Sequence, residues 1–374
     1  MPKVVISGYY GFNNIGDEAI LKGLIDGIKD FNQDTEIVVL SQYPEFTSKK
    51  HNVRSIKRMN FFSIIKEIKD CDLLVSGGGS LLQDVTSKRS ILYYIAIIHI
   101  AKILNKKVMI YSQGIGPVNK KYNRNILKRV LNKVDFINVR DENSKQELLD
   151  MGIEKDILVT MDTVFGIKKP DIEIGKEILR DINIDFDKKI VGLSIRPWKN
   201  NKQIVSEISK VCESLVEEYD YQVLFIPFHF YADSSIIKDI YKNIDKKYRK
   251  NVFVLDKYLY VDEYISLVGN LDFLIGMRLH ALIFSVLMGV PVVGLSYDPK
   301  INNFLNFIEK NEVISILNIN FNDIMNEVKY LIDNIDSERA LISRKKDEFR
   351  EITDIHNKIL MDLIENRGEY FGKN

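Results

Sequence analysis

At 374 residues the chain is long enough for two domains, each with a core of its own. Its formal net charge of +1 excludes a general attraction to nucleic acid or acidic lipid, so any anion site has to be local. Its only cysteines, Cys71 and Cys212, exclude a disulfide framework, and both read as buried thiols.

Residues 4–8 read as a strand, and residues 18–31 as a helix with Leu21, Leu24, Ile25 and Ile28 at helical spacing. The opening residues run straight into that strand without the basic, apolar and small-residue succession of a secretory signal, which makes a cytoplasmic protein the expectation. Residues 36–40 form a second predicted strand, 62–68 a helix, and 73–76 a strand that enters Gly77-Gly78-Gly79. The apolar run 91–104 is shorter than the roughly 20 residues of a membrane span, and His99 and Lys102 interrupt it. It reads as a buried helix, with a helix lying on a membrane surface as the alternative. Strand 108–112, helix 124–131, strand 136–139, helix 144–149 and strand 157–160 follow.

Such alternation implies a parallel sheet with helices on both faces. Lys168-Lys169-Pro170-Asp171 breaks the pattern and closes a first domain, residues 1–168. A second domain, residues 172–335, repeats the scheme, with strands at 190–195, 223–226, 252–255, 273–275 and 292–295. The charged helical tail, residues 336–374, is free to pack back on the first domain.

Open parallel sheets bind ligands in the crevice past the carboxyl ends of their strands, so the informative residues should follow the strands. After the first strand comes Gly8-Tyr9-Tyr10-Gly11-Phe12-Asn13-Asn14-Ile15-Gly16-Asp17-Glu18. Its glycine spacing is not that of a dinucleotide loop. Asp17 and Glu18 in the first helical turn would repel a phosphate, whereas carboxylates and the Asn14 amide suit sugar hydroxyls. Gly78, Gly79, Gln83 and Asp84 follow another strand, where three glycines permit close backbone approach. Gln113-Gly114-Ile115-Gly116-Pro117 is placed likewise. Arg140 and Arg196 each stand at the end of a strand, one in each half. Gly276-Met277-Arg278-Leu279-His280 delivers a guanidinium and an imidazole to the start of an apolar helix, a ready anion site, and Lys300 follows the next strand. An unperturbed imidazole such as that of His280 is suited to moving protons near neutrality. His229 also follows a strand and is a secondary candidate, while His51, His99 and His356 read as structural or exposed. No cluster has metal-ligand spacing, and no Walker or nucleophile-elbow motif is present.

Taken in order, the segments G-Y-Y-G-F-N-N-I-G-D-E-A-I-L, S-G-G-G-S-L-L-Q-D, S-Q-G-I-G-P, V-R-D-E-N-S and G-M-R-L-H-A-L-I-F-S-V-L-M-G-V-P-V-V-G-L-S-Y-D-P-K resemble the polysaccharide pyruvyl transferase family. The long first motif resembles the bacterial branch that pyruvylates the secondary cell-wall polymer to which S-layer proteins attach. The resemblance covers about residues 3–310.

It implies an α/β fold of two Rossmann-like domains facing a cleft, the glycosyltransferase B-type architecture. It also implies phosphoenolpyruvate as donor, with no separate cofactor, and no metal is required because the arginines can carry the phosphate charge. The acceptor would be an N-acetylmannosamine residue on a lipid-linked glycan precursor. The product would be a 4,6-pyruvate ketal, with phosphate released. A lipid-linked acceptor would bring peripheral contact with the inner leaflet of the membrane. Arg140, Arg196, Arg278 and Lys300 are then the expected ligands of phosphoenolpyruvate, and His280 the expected proton carrier. Asn14, Gly16, Asp17, Glu18, Gly78, Gly79, Asp84 and Gln113 are the expected acceptor contacts. Two rival functions share these features: a nucleotide-sugar glycosyltransferase and a non-catalytic glycan-binding protein.

Overall fold

Val4, Val5 and Ile6 are fully buried, and so are Leu73, Leu74 and Val75 beside them. Strands covered on both faces in this way have to be flanked by helices on each side, and parallel pairing supplies the crossovers. The chain forms a computed structural model that describes residues 1–85, 90–310 and 313–365. It divides into two compact units, residues 1–168 with 349–374, and residues 169–348.

In unit 1 the elements run β1 (Lys3–Tyr10), α1 (Ile15–Phe31), β2 (Glu36–Ser41), α2 (Pro44–His51), β3 (Arg54–Lys57), α3 (Phe61–Asp70), β4 (Leu73–Gly77), α4 (Ser90–Ile103), β5 (Lys107–Gln113), α5 (Lys121–Leu131), β6 (Phe136–Val139), α6 (Glu142–Asp150) and β7 (Ile157–Val159). The sheet is parallel, in the order β3-β2-β1-β4-β5-β6-β7. Alternation along each strand sorts the core into two layers. Val5, Leu74 and Ile110 pack against α3, α4 and α5, whereas Val4, Ile6, Val75 and Tyr111 pack against α1 and the last helix of the chain. The apolar run of α4 lies in that first layer, and among the described residues no helix is long and apolar enough to cross a membrane.

Unit 2 runs α7 (Ile172–Asp181), β8 (Ile190–Ser194), α8 (Asn201–Glu217), β9 (Gln222–Phe225), α9 (Phe230–Asn243), β10 (Val252–Val254), α10 (Val261–Val268), β11 (Phe273–Gly276), α11 (Leu279–Met288), β12 (Val292–Ser296), α12 (Pro299–Phe307), β13 (Ile314–Ser315) and α13 (Phe321–Asp333). Its parallel sheet has the order β10-β9-β8-β11-β12-β13. Cys212 is fully buried in its core and Cys71 in that of unit 1, and burial pushes the Cys71 thiol up to about 11.

Helix α14 (Ile335–Glu365) belongs to unit 2 as far as Glu348 and to unit 1 from Phe349 on. The end of the expected tail, residues 366–374, lies outside the described residues. Ile359, Leu360 and Leu363 enter the core of unit 1, and Asn357 accepts a hydrogen bond from the Tyr111 hydroxyl. His356, fully buried, is held by Asn138 Nδ2 at 3.3 Å and Thr160 Oγ1 at 3.2 Å, both on its Nδ1. Burial disfavours the charged imidazole and pulls His356 down to about 3.

Between the ordinary histidine pKa of about 6.5 and the folded value, the unfolded chain binds a proton that the folded chain refuses, so stability falls as pH falls. The slope from this one group is at most about 1.4 kcal/mol per pH unit. Urea unfolding across pH 4 to 8 should show a weaker acid loss in His356→Gln than in the parent chain, and identical pH profiles would contradict the assignment.

Candidate active site

Both sheets reverse their strand order at one point, between β1 and β4 in unit 1 and between β8 and β11 in unit 2. Loops leave such a switch point in opposite directions and open a crevice at the carboxyl ends of the two strands.

In unit 1 the loops after β1 and β4 stand at that crevice. Gly78 and Gly79 have φ of +51° and +70°, and a side chain on Gly78 would run into Ile20 of α1 at 1.9 Å. The absence of both side chains lets the β4 loop lie on the start of α1. Asp17 points to the same place, with Oδ1 2.9 Å from where a Gly79 Cβ would be. Asn14 caps α1 by accepting from the N–H of Gly16 at 3.2 Å. Arg140, following β6, is 8% exposed. It donates to Ser80 Oγ at 3.1 Å, lies against Gly114, and stands 3.5 Å from Asp162 and 3.7 Å from Asp141.

Three expected acceptor contacts have partners inside the protein. Glu18 is buried, and its Oε1 accepts the Gly11 N–H at 2.8 Å while Oε2 meets His51 Nε2 at 3.3 Å. It fixes the glycine loop. Both carboxylate oxygens of Asp84 are taken by the N–H groups of Asn119 and Lys120 and by Asn123 Nδ2, contacts that overcome its burial and lower its pKa. Gln113 is buried and donates from Nε2 to Ser76 O and Oγ, each at 2.8 Å, which braces β5 against β4. Asp17 and the backbone of Gly78 and Gly79 stand together at the crevice after β1 and β4.

In unit 2, Arg196 follows β8, Arg278 and His280 follow β11, and Lys300 lies in the first turn of α12, after β12. Arg278, an expected ligand of phosphoenolpyruvate, is paired with a carboxylate. Its Nε donates to Asp233 Oδ2 at 3.2 Å and its Nη2 to Asp233 Oδ1, and Asp233 is fully buried. Asp233 also accepts the His229 N–H at 2.9 Å, so one carboxylate joins the loops after β9 and β11 and brings His229 and Arg278 together. Lys300 is partnered by Asp298 at 3.4 Å.

Arg196 differs from these cations. Among the described residues no carboxylate is paired with it. Its Nη1 donates to Tyr297 Oη at 2.7 Å, and its guanidinium lies over the rings of Tyr297 and Trp198, 4.4 and 5.3 Å from their centroids. Arg196 Nε, Trp198 Nε1 and Ser194 Oγ are buried donors with no acceptor among the described residues. Buried donors left in this condition cost about 1–3 kcal/mol each, a cost that a bound oxyanion would remove.

A family model for polysaccharide pyruvyl transferase matches residues 14–299. The chain belongs to the polysaccharide pyruvyl transferase family. Membership makes it a transferase of polysaccharide biosynthesis that acts on a glycan. The amylovoran biosynthesis protein AmsJ of Erwinia amylovora is 22% identical across 98% of this chain and 100% of its own length. The UDP-GlcNAc 2-epimerase of Methanocaldococcus jannaschii has a TM-score of 0.67 at 15% identity, over 96% of this pyruvyl transferase family chain and 99% of that one. The ADP-heptose heptosyltransferase II of E. coli has a TM-score of 0.53 at 12% identity, over 90% and 100%. These likenesses concern the fold, which is that of glycosyltransferase B-type proteins.

Trp198, Tyr297 and Asp233 were not singled out in the sequence. The first two sit in R-P-W and Y-D-P-K, directly past strands that were recognised, where an aromatic residue next to an arginine is a usable signal. Asp233→Ala removes both acceptors of the Arg278 fork and should cost about 2–4 kcal/mol of folding stability by chemical denaturation. A loss below about 0.5 kcal/mol, the scale of ordinary surface substitutions, would contradict the structural role given to this pair.

Proposed function

We propose that this family member transfers a pyruvyl group from phosphoenolpyruvate to a sugar of a lipid-linked secondary cell-wall polymer precursor, N-acetylmannosamine in the S-layer-anchoring branch. The protein would act in the cytoplasm, in peripheral contact with the inner leaflet. The observation that supports this most is the set of buried donors around Arg196. A small ligand with both a phosphate and a carboxylate answers that set, and a neutral glycan does not.

The chemistry balances without a further reactant. A proton adds to the methylene carbon of the enol and leaves a cationic carbon between carboxylate and phosphate ester. One sugar hydroxyl attacks it, and the new C–O bond forms as that oxygen loses its proton. The C–O bond to phosphate then breaks, and the second hydroxyl closes the ketal, its proton leaving with phosphate. His280, at the first turn of α11, is assigned the proton delivered to carbon. Arg196, with the Trp198 indole N–H and the Ser194 hydroxyl, is assigned the oxyanions. Arg278, fixed by Asp233, and Lys300 border them. Asp17 of unit 1 is assigned an acceptor hydroxyl, beside the Gly79 backbone. Arg140 is reassigned to holding the unit 1 loops, because its charge faces Asp141 and Asp162.

Incubation of the protein with phosphoenolpyruvate and a synthetic N-acetylmannosamine-containing lipid diphosphate should raise the acceptor mass by about 70 Da and release phosphate, the outcome of proton-assisted ketal formation. His280→Ala should retain donor binding and lose about 100-fold or more in turnover. No mass gain with phosphoenolpyruvate, together with glycosyl transfer from a nucleotide sugar, would replace this function by the glycosyltransferase alternative. Near-normal turnover of His280→Ala would remove His280 from the chemistry.

A further inference from the structure

Arg58 follows the edge strand β3 in unit 1 and is 8% exposed. Burying a guanidinium is costly unless its charge is answered. Among the described residues no carboxylate is paired with it. Aromatic rings surround it instead: Tyr93 at 4.3 Å from its central carbon, Phe12 at 5.2 Å and Tyr94 at 5.5 Å. Its one hydrogen bond from the guanidinium to a described residue is a long one, Nη1 to Tyr94 Oη at 3.5 Å. The backbone around it is fixed, for Arg58 N–H donates to Ser41 O at 2.9 Å and Tyr93 Oη donates to Arg58 O at 2.8 Å. The surround resembles that of Arg196 in unit 2: a cation clasped by π faces, with no carboxylate partner among the described residues.

The surroundings indicate what such a cation faces. Phe12 belongs to the loop after β1, and its ring stacks on that of Tyr9 with centroids 4.0 Å apart and 4° between the planes. Tyr9 is 40% exposed, so the pair offers a flat aromatic surface. Burial and Asp17 raise the Tyr9 phenol above its ordinary range and Arg58 pulls it down, which puts Tyr9 within the field of both groups. Asp17, Tyr9, Phe12 and Arg58 thus form one succession, from a carboxylate suited to hydroxyls, across an aromatic face suited to a sugar ring, to a guanidinium suited to an oxyanion.

We propose that Arg58 and the Tyr9–Phe12 stack form an anion-reading subsite of unit 1 that takes an oxyanion carried by a saccharide, either a phosphate ester or a uronate carboxylate. It rests on the acceptor role assigned to unit 1 and adds to it that the acceptor is recognised by a negative charge as well as by its hydroxyls. Cation–π contact holds the guanidinium in place in the absence of ligand, and its planar edge is left for paired N–H···O bonds.

The test uses the full chain with four probes: N-acetylglucosaminyl phosphate, glucuronic acid, N-acetylglucosamine and inorganic phosphate. Calorimetry should find one of the charged saccharides bound about tenfold tighter than N-acetylglucosamine, the effect of a charge-assisted hydrogen-bond pair, and the two charged probes tell phosphate from carboxylate. Hydrogen exchange should place the added protection in residues 9–14 and 54–60. Arg58→Gln should abolish the preference, and Arg58→Lys, which keeps the charge without the fork, should reduce it. If neither variant folds, the exchange map of the parent chain decides.

Equal affinity for charged and neutral saccharides, protection confined to other segments, equal binding of inorganic phosphate, or an undiminished preference in Arg58→Gln would each overturn the proposal. The pyruvyl reading is judged separately: pyruvyl transfer with no charge preference defeats only this subsite, and a localised charge preference without pyruvyl transfer defeats only that reading.

Discussion

Parallel strand pairing is the constraint from which the functional arrangement follows. It points the carboxyl ends of neighbouring strands the same way and sends each crossover helix off from that edge. Side chains distant in sequence, such as Arg196, Arg278 and Lys300, therefore follow neighbouring strands without any contact having to hold them together. Where the strand order reverses, the loops diverge and leave backbone and side chains exposed to a ligand. The glycines at 78 and 79 serve this directly, because any side chain at 78 would strike Ile20 and lift the β4 loop off α1.

Within that frame, the cations divide by how their charge is answered. Arg278 faces Asp233, Lys300 faces Asp298, and Arg140 faces Asp141 and Asp162. Arg196 and Arg58 are held by aromatic faces, and each spends one N–H on a tyrosine hydroxyl rather than on a carboxylate. A carboxylate in the same position would close the site with an internal salt bridge. Rings and carboxylates thus give arginines that look alike in sequence different surroundings.

Much of the fold was legible because its buried strands are apolar runs and its helices carry a periodic apolar face. Strand β3 was not, since Arg54–Lys57 is a partly exposed edge strand without an apolar run, and α2, P-E-F-T-S-K-K-H, has almost no apolar face. Missing β3 meant missing Arg58, whose place just past a strand end is what draws notice to it. The strand-end residues His229, Arg278 and His280 were legible from position alone. Their partners were not, because Asp233 meets Arg278 across 45 positions of sequence. The same limit explains Glu18, Asp84 and Gln113. Their residue types suit sugar hydroxyls, but each has internal partners that only the folded chain assembles, on both carboxylate oxygens of Glu18 and Asp84 and on the amide nitrogen of Gln113.

Arg196 is proposed to hold its edge ready for an oxyanion of the donor. Trp198, the single tryptophan of the chain, lies over that guanidinium and provides the signal. Its fluorescence can be titrated with phosphoenolpyruvate in the parent protein and in Arg196→Gln. The account predicts a saturable change in the parent and an affinity about 10- to 100-fold weaker in the variant, as expected for loss of a charge-assisted pair. Equal affinity in the two proteins, with the fold of the variant intact, would contradict it.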